Sequence, residues 1–184
     1  MFIQTEATPN PATLKFIPGK PVLPGSTREY RSAAEAVESP LAERLFSVNG
    51  VSGVFLGQDF ITVTKDTSDW QHLKPAILGL IMEHYLADAP MLAGLGADAP
   101  LNEEFDSADS EIVTTIKELL ETRVRPAVAQ DGGDITFHGY RDGVVSLNMK
   151  GSCSGCPSST ATLKHGIENL LRHFIPEVTE VRPV

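Results

Sequence analysis

Between Leu86 and Glu111 the chain reads LADAPMLAGLGADAPLNEEFDSADSE, and this stretch limits what the rest can fold into. It holds seven acids, two prolines, two glycines and no base. A segment so rich in Ala, Gly, Pro and like charge buries too little apolar area to offset its ordering entropy. The regions on either side must therefore each find their own core. Residues 1–85 carry nine acids and seven bases, and 112–184 carry eight of each, so this segment holds most of the net charge of −9. The expected organisation is an α+β chain of two small mixed domains, 1–87 and 107–184, joined by an acidic flexible linker over 88–106. Met91 and Leu92 are the linker's candidate docking residues.

At 184 residues and 41% hydrophobic content the chain has enough apolar material for two such cores. The acidic balance argues against nucleic acid, because phosphate binding needs a basic surface. No apolar run approaches the ~20 residues of a membrane helix, so no membrane partner is expected. MFIQTEATPN has neither a cationic start leading into an apolar run nor an Arg-rich amphipathic pattern. A cytoplasmic location is the expectation.

In the first region, FIQTEATPNPATLKFIPG reads as two short strands around Pro-Asn-Pro. SPLAERLFSV reads as a helix with Ser39 as N-cap and Pro40 at its first position. Leu41, Leu45 and Val48 share one of its faces. GVFLGQDFITVTK reads as a hairpin and DWQHLKPAILGLIMEHYL as a second helix. His72 and His84 lack the three- or four-residue spacing of a ligand pair and are expected on the surface or a helix face. Trp70, Phe46 and Phe60 are expected in the core, and the region shows no catalytic constellation.

In the second region, SADSEIVTTIKELLETRVRPAVAQ predicts a long helix burying Ile112, Ile116, Leu119, Leu120 and Val124, with Pro126 bending or ending it. DITFHGY and GVVSLNM predict a hairpin around Arg141-Asp142-Gly143. A further helix buries Leu163, Ile167, Leu170, Leu171 and Phe174, and VTEVRPV closes as a strand.

Between that hairpin and that helix lies MKGSCSGCPSST, with the chain's two cysteines, Cys153 and Cys156. Their spacing suits a shared metal or a tight disulfide. Cys156 precedes Pro157 at a helix start, where unpaired N–H groups and the dipole favour a thiolate. No acid lies between Gly151 and Glu168 to repel an anionic cluster. A thioredoxin-like dithiol would need a further sheet hairpin, and only 28 residues follow Cys156. A structural zinc would want four ligands, and His138 and His165, the nearest candidates, lack finger-like spacing. Soft thiolates select an iron–sulfur cluster, usually held by four cysteines. One chain supplies two, so two chains sharing a cluster across a two-fold axis is the simplest solution. A redox dithiol or a zinc module remains the alternative.

The run DGGDITFHG…GVVSLNMKGSCSGCPSSTATLKHGIENLL resembles the C-terminal domain of NifU-like (Nfu) iron–sulfur scaffold and carrier proteins over residues 107–184. TEATPNPATLKFIPG and SPLAERLFSVNGVSGVFLGQDFITVTK resemble the companion N-terminal domain. The resemblance implies Cys153 and Cys156 as cluster ligands and one 4Fe–4S cluster per cluster-bridged homodimer. It also implies an upstream cluster donor and delivery to apo iron–sulfur client proteins. A 2Fe–2S form and adventitious zinc are the other expected occupants. Two ligands per chain in a polar loop suit a carrier, not an enzyme.

Overall fold

The structure is a computed structural model that describes residues 1–93, 104–151 and 157–184. The chain forms two compact units, Met1–Ala99 and Pro100–Val184, each with both helices and a sheet.

The first unit is built on a five-stranded antiparallel sheet. Its strands are β1 (Gln4–Ala7), β2 (Thr13–Ile17), β3 (Arg28–Tyr30), β4 (Val51–Leu56) and β5 (Ile61–Lys65), in the order β1-β2-β5-β4-β3. Leu14, Val63, Val54 and Tyr30 fall in line across the sheet and face the core. Helices α1 (Pro40–Phe46) and α2 (Trp70–Leu86) supply Leu41, Leu45, Leu73, Ile77 and Ile81 to that core. Ser39 Oγ accepts the Ala42 N–H at 3.3 Å and Asp69 Oδ1 accepts the Gln71 N–H at 3.2 Å, so both helices start on side-chain caps. Phe46 and Trp70 pack at the core's margin. Phe60 is buried as expected, its ring tilted 43° to that of Phe55 at 5.8 Å between centroids, with Lys15 Nζ 4.7 Å from its ring. Strand β3 carries no alternating apolar pattern and was not expected. The hydroxyl of its Tyr30 donates to Glu38 at 2.8 Å.

His84, expected on the surface or a helix face, lies on the buried face of α2. It continues the apolar stripe of α2 after Ile77 and Ile81 and is fully buried, whereas His72 is exposed. Beyond α2 the chain does not leave the unit at once. Met91 and Leu92 pack against the first core, and the Ala93 N–H donates to the Glu38 carbonyl at 2.6 Å.

The second unit holds a four-stranded sheet in the order β6-β7-β8-β9: β6 (Glu104–Phe105), β7 (Gly133–Arg141), β8 (Val144–Gly151) and β9 (Glu180–Pro183). β7 and β8 are antiparallel, and β6 and β9 run parallel to their neighbours. β6 falls within the segment expected as linker; its Phe105 ring meets Phe137 edge-on at 6.3 Å. Alternation along β8 buries Val145, Leu147 and Met149 under helices α3 (Ser110–Leu119), α4 (Arg125–Gln130) and α5 (Pro157–Phe174). Val113 takes the place expected of Ile112, which is only partly buried.

Pro126, expected to bend or end the long helix, sits in the first turn of α4, and the helical run goes on past it. A π turn over Leu120–Val124 widens the coil just before it, and α4 then continues through the proline. Such a turn accommodates an interrupted hydrogen-bond ladder and is one of the places where helices bend. Phe174, expected in the core, is 47% exposed, and the Arg123 guanidinium lies 5.2 Å from its ring.

Candidate metal centre

The C-S-G-C segment connects the last residue of β8, Gly151, to the first of α5, Pro157. Cys153 and Cys156 themselves lie outside the described residues. The structure shows what holds the two ends of that connection. Met149 and Leu147 root β8 in the core, and Ile167 and Leu171 root α5. Gly151 is register-paired with Gly133 and has φ 68°, a left-handed conformation that suits glycine as the chain turns out of the sheet.

α5 is 18 residues long, with no acid in its first turn and Arg172 and His173 in its last. Its aligned peptide dipoles put partial positive charge at its Pro157 end. Thiolates, as soft anionic donors, suit an iron–sulfur cluster or zinc better than a hard cation.

The histidines weighed as further ligands are placed away from this junction. His165 is exposed on α5, about 12 Å along the axis from Pro157 at 1.5 Å per residue. His138 sits at a bulge in β7, about 17 Å along the strand from Gly133 at ~3.3 Å per residue. It lines a polar cleft of about 870 Å³ near the hairpin tip, with Asp106, Asp109, Arg141 and Arg182. Among the described residues no group of three or more His, Cys, Asp or Glu is arranged to hold a metal.

A charged group at the base of the junction was missed in the sequence. Arg125 Nε donates to Asp134 Oδ1 at 2.9 Å and Nη2 to Oδ2 at 3.0 Å, while Nη1 donates to Glu121 at 2.8 Å. The hydrogen bonds to Asp134 raise the pKa of Arg125 above its ordinary value against the opposing effect of burial. The sequence signal was an acid in an otherwise apolar strand start, GDITF, since a buried carboxylate demands a partner. The partner, nine residues earlier at the start of α4, follows only from the fold.

These features define a class: a two-unit α+β protein whose sole thiol pair joins a sheet strand to a long helix. The first unit matches the family described as "Scaffold protein Nfu/NifU N terminal" over residues 3–88, and the second the "NifU-like domain" over residues 116–182. "NFU1 iron-sulfur cluster scaffold homolog, mitochondrial" of Homo sapiens is 50% identical over 186 residues, spanning 100% of this chain and 72% of the relative. "NifU-like protein 4, mitochondrial" of Arabidopsis thaliana is 49% identical over 184 residues, spanning 98% of this chain and 65% of the relative. A solution structure of a NifU-like protein from Saccharomyces cerevisiae is 29% identical over 50% of this chain and 85% of its own, at TM-score 0.46. The chain belongs to the Nfu/NifU family.

One expectation is corrected by these names. The relatives are designated mitochondrial, which overturns the cytoplasmic reading. That reading rested on the pattern of MFIQTEATPN, which does not decide the compartment.

Proposed function

We propose that this chain is an iron–sulfur scaffold and carrier that holds one 4Fe–4S cluster between two copies and passes it to apo-proteins. Cys153 and Cys156 of each copy are the ligands. The observation that carries the proposal is the placement of the chain's only two cysteines on the β8–α5 connection of a chain so similar to named iron–sulfur scaffolds. A cubane takes four thiolates and each chain offers two, so two chains complete the set.

The same donor count would accommodate a 2Fe–2S cluster, and zinc is the adventitious competitor for thiolates. Release proceeds by ligand exchange. A client thiolate forms an Fe–S bond as a scaffold thiolate leaves, the leaving sulfur takes a proton, and no electrons change hands. The cluster is cargo, supplied by an upstream donor, and the chain acts as a carrier, not an enzyme.

Serine substitution tests the ligand assignment. Cys153→Ser and Cys156→Ser each lose the cluster on anaerobic reconstitution while the apo-protein melts as wild type does. Retention of a full cluster by either variant contradicts the ligand assignment, and a large fall in apo stability would make the cysteines structural.

A further inference from the structure

The π turn Leu120–Val124, the helix α4 and the D-G-G-D run meet at one buried ion pair. Asp134 has a side chain only 6% exposed, against 24% for Arg125. The carboxylate also accepts the Ile135 N–H at 2.9 Å. The guanidinium engages both carboxylate oxygens in the two-pronged geometry that fixes orientation as well as distance. Its remaining Nη1 holds Glu121, one turn back within the π turn.

Stability alone is a poor reason for such a pair, because apolar residues of equal volume often stabilise a core as well or better. Its position suggests a geometric role. Asp134 is register-paired with Lys150, and Gly133 with Gly151, the last residue of β8 before the cysteine-bearing connection. One ion pair thus ties α4 to the final rungs of the β7–β8 ladder. Strand ends fray where nothing ties them, and a displacement of about 1 Å is enough to spoil a ligand constellation.

We propose that Arg125 and Asp134 are positioning residues for the Cys153–Cys156 pair, fixing the strand end from which that connection departs. The inference rests on the reading of the two cysteines as cluster ligands. Arg125 acts through Asp134 and the strand pair.

The test uses the full chain with Arg125→Gln, Arg125→Lys and Asp134→Asn. Glu121→Gln serves as a milder variant, because it removes the exposed arm alone and leaves the buried pair in place. Two readouts are taken on apo-protein well below its melting temperature: amide exchange at Lys150 and Gly151, and the alkylation rates of the two thiols. A third, on cluster-loaded protein, is the rate of cluster loss to an iron chelator without oxygen. Arg125→Gln and Asp134→Asn are expected to raise amide exchange and cluster loss about tenfold, and Glu121→Gln about twofold. Arg125→Lys, which keeps the charge but not the fork, is expected to stay near Arg125→Gln.

Amide exchange and cluster loss within twofold of wild type in the Arg125 and Asp134 variants would overturn the proposal. Full rescue by lysine would overturn its geometric basis. Should Arg125→Gln and Asp134→Asn fail to fold, an unchanged Glu121→Gln would count against it. Failure of the functional reading looks different: wild type would take up no cluster, while the apo readouts would still report on the clamp.

Discussion

Gly143→Ala should destabilise the second unit more than any other glycine-to-alanine change that the structure lets one work out there. Asp142 and Gly143 close the β7–β8 hairpin with φ of 50° and 80°, the signature of a type I′ turn. A left-handed alanine costs about 1–2 kcal/mol relative to glycine. The new Cβ would also lie 2.7 Å from the Glu177 carbonyl and 2.9 Å from Thr179 Oγ1. The Gly143 carbonyl already accepts the Thr179 N–H at 2.7 Å, so neither neighbour can retreat without straining the approach to β9. Overpacking of this kind adds about 1–3 kcal/mol, and the lost freedom of the unfolded chain returns about 0.4–1 kcal/mol. The net is about 1–5 kcal/mol, or at least about 4 °C in Tm for a unit of this size. Gly166→Ala, on the exposed face of α5 with nothing within 4 Å of a new Cβ, should instead gain about 1 kcal/mol. Calorimetry on the full chain resolves both shifts in the second unit's transition. A Gly143→Ala transition within 2 °C of wild type, or a destabilised Gly166→Ala, would refute the reasoning.

Three further outcomes follow from the same structure. His84 is fully buried and neither ring nitrogen has a hydrogen-bond partner among the described residues; burial, then the nearby Arg44 charge, lowers its pKa. The unfolded chain therefore takes up the proton first. Stability of the first unit should be full above about pH 6.5 and fall below it, and His84→Leu should flatten that slope in denaturant titrations at several pH values; identical slopes would count against it. Ser39→Ala should cost the first unit about 1 kcal/mol in urea unfolding through loss of the α1 cap. Ile116→Ala, at 0% exposure in the second core, should cost about 2–5 kcal/mol, seen as a lower midpoint with an unchanged m-value.

Elements with a strong local signal were legible in the sequence. The Ser39-Pro40 start, the Asp142-Gly143 turn, the alternating β8 and the periodic face of α5 each carry their geometry in adjacent residues. The parts that escaped depend on tertiary contact. β3 and the two-residue β6 have no pattern of their own and exist because β4 and β7 offer free edges to pair with. The π turn resolves a conflict between Pro126 and a continuing apolar face, which periodicity alone cannot settle. His84 occupies a core stripe that its polarity argued against, and Phe174 leaves one because Arg123 covers its ring in solvent. The cysteine pair stood out in the sequence as a candidate site, while the ion pair required the fold to bring Arg125 to Asp134.

The central claim is that two chains share one cluster. The apo-protein, with a net charge of −9 opposing self-association, should run largely as a monomer. Four Fe–S bonds drawn from two chains then supply the association energy, so loading should drive dimerisation by mass action. The direct test is anaerobic light scattering on a sizing column, with iron, sulfide and zinc counted in the same peak. The account predicts twice the apo mass carrying about four irons and four sulfides per two chains, as a single cubane requires, with return to monomer once a chelator removes the iron. A monomer holding a full 4Fe–4S cluster, or a reversible dithiol that takes up no metal, would contradict it.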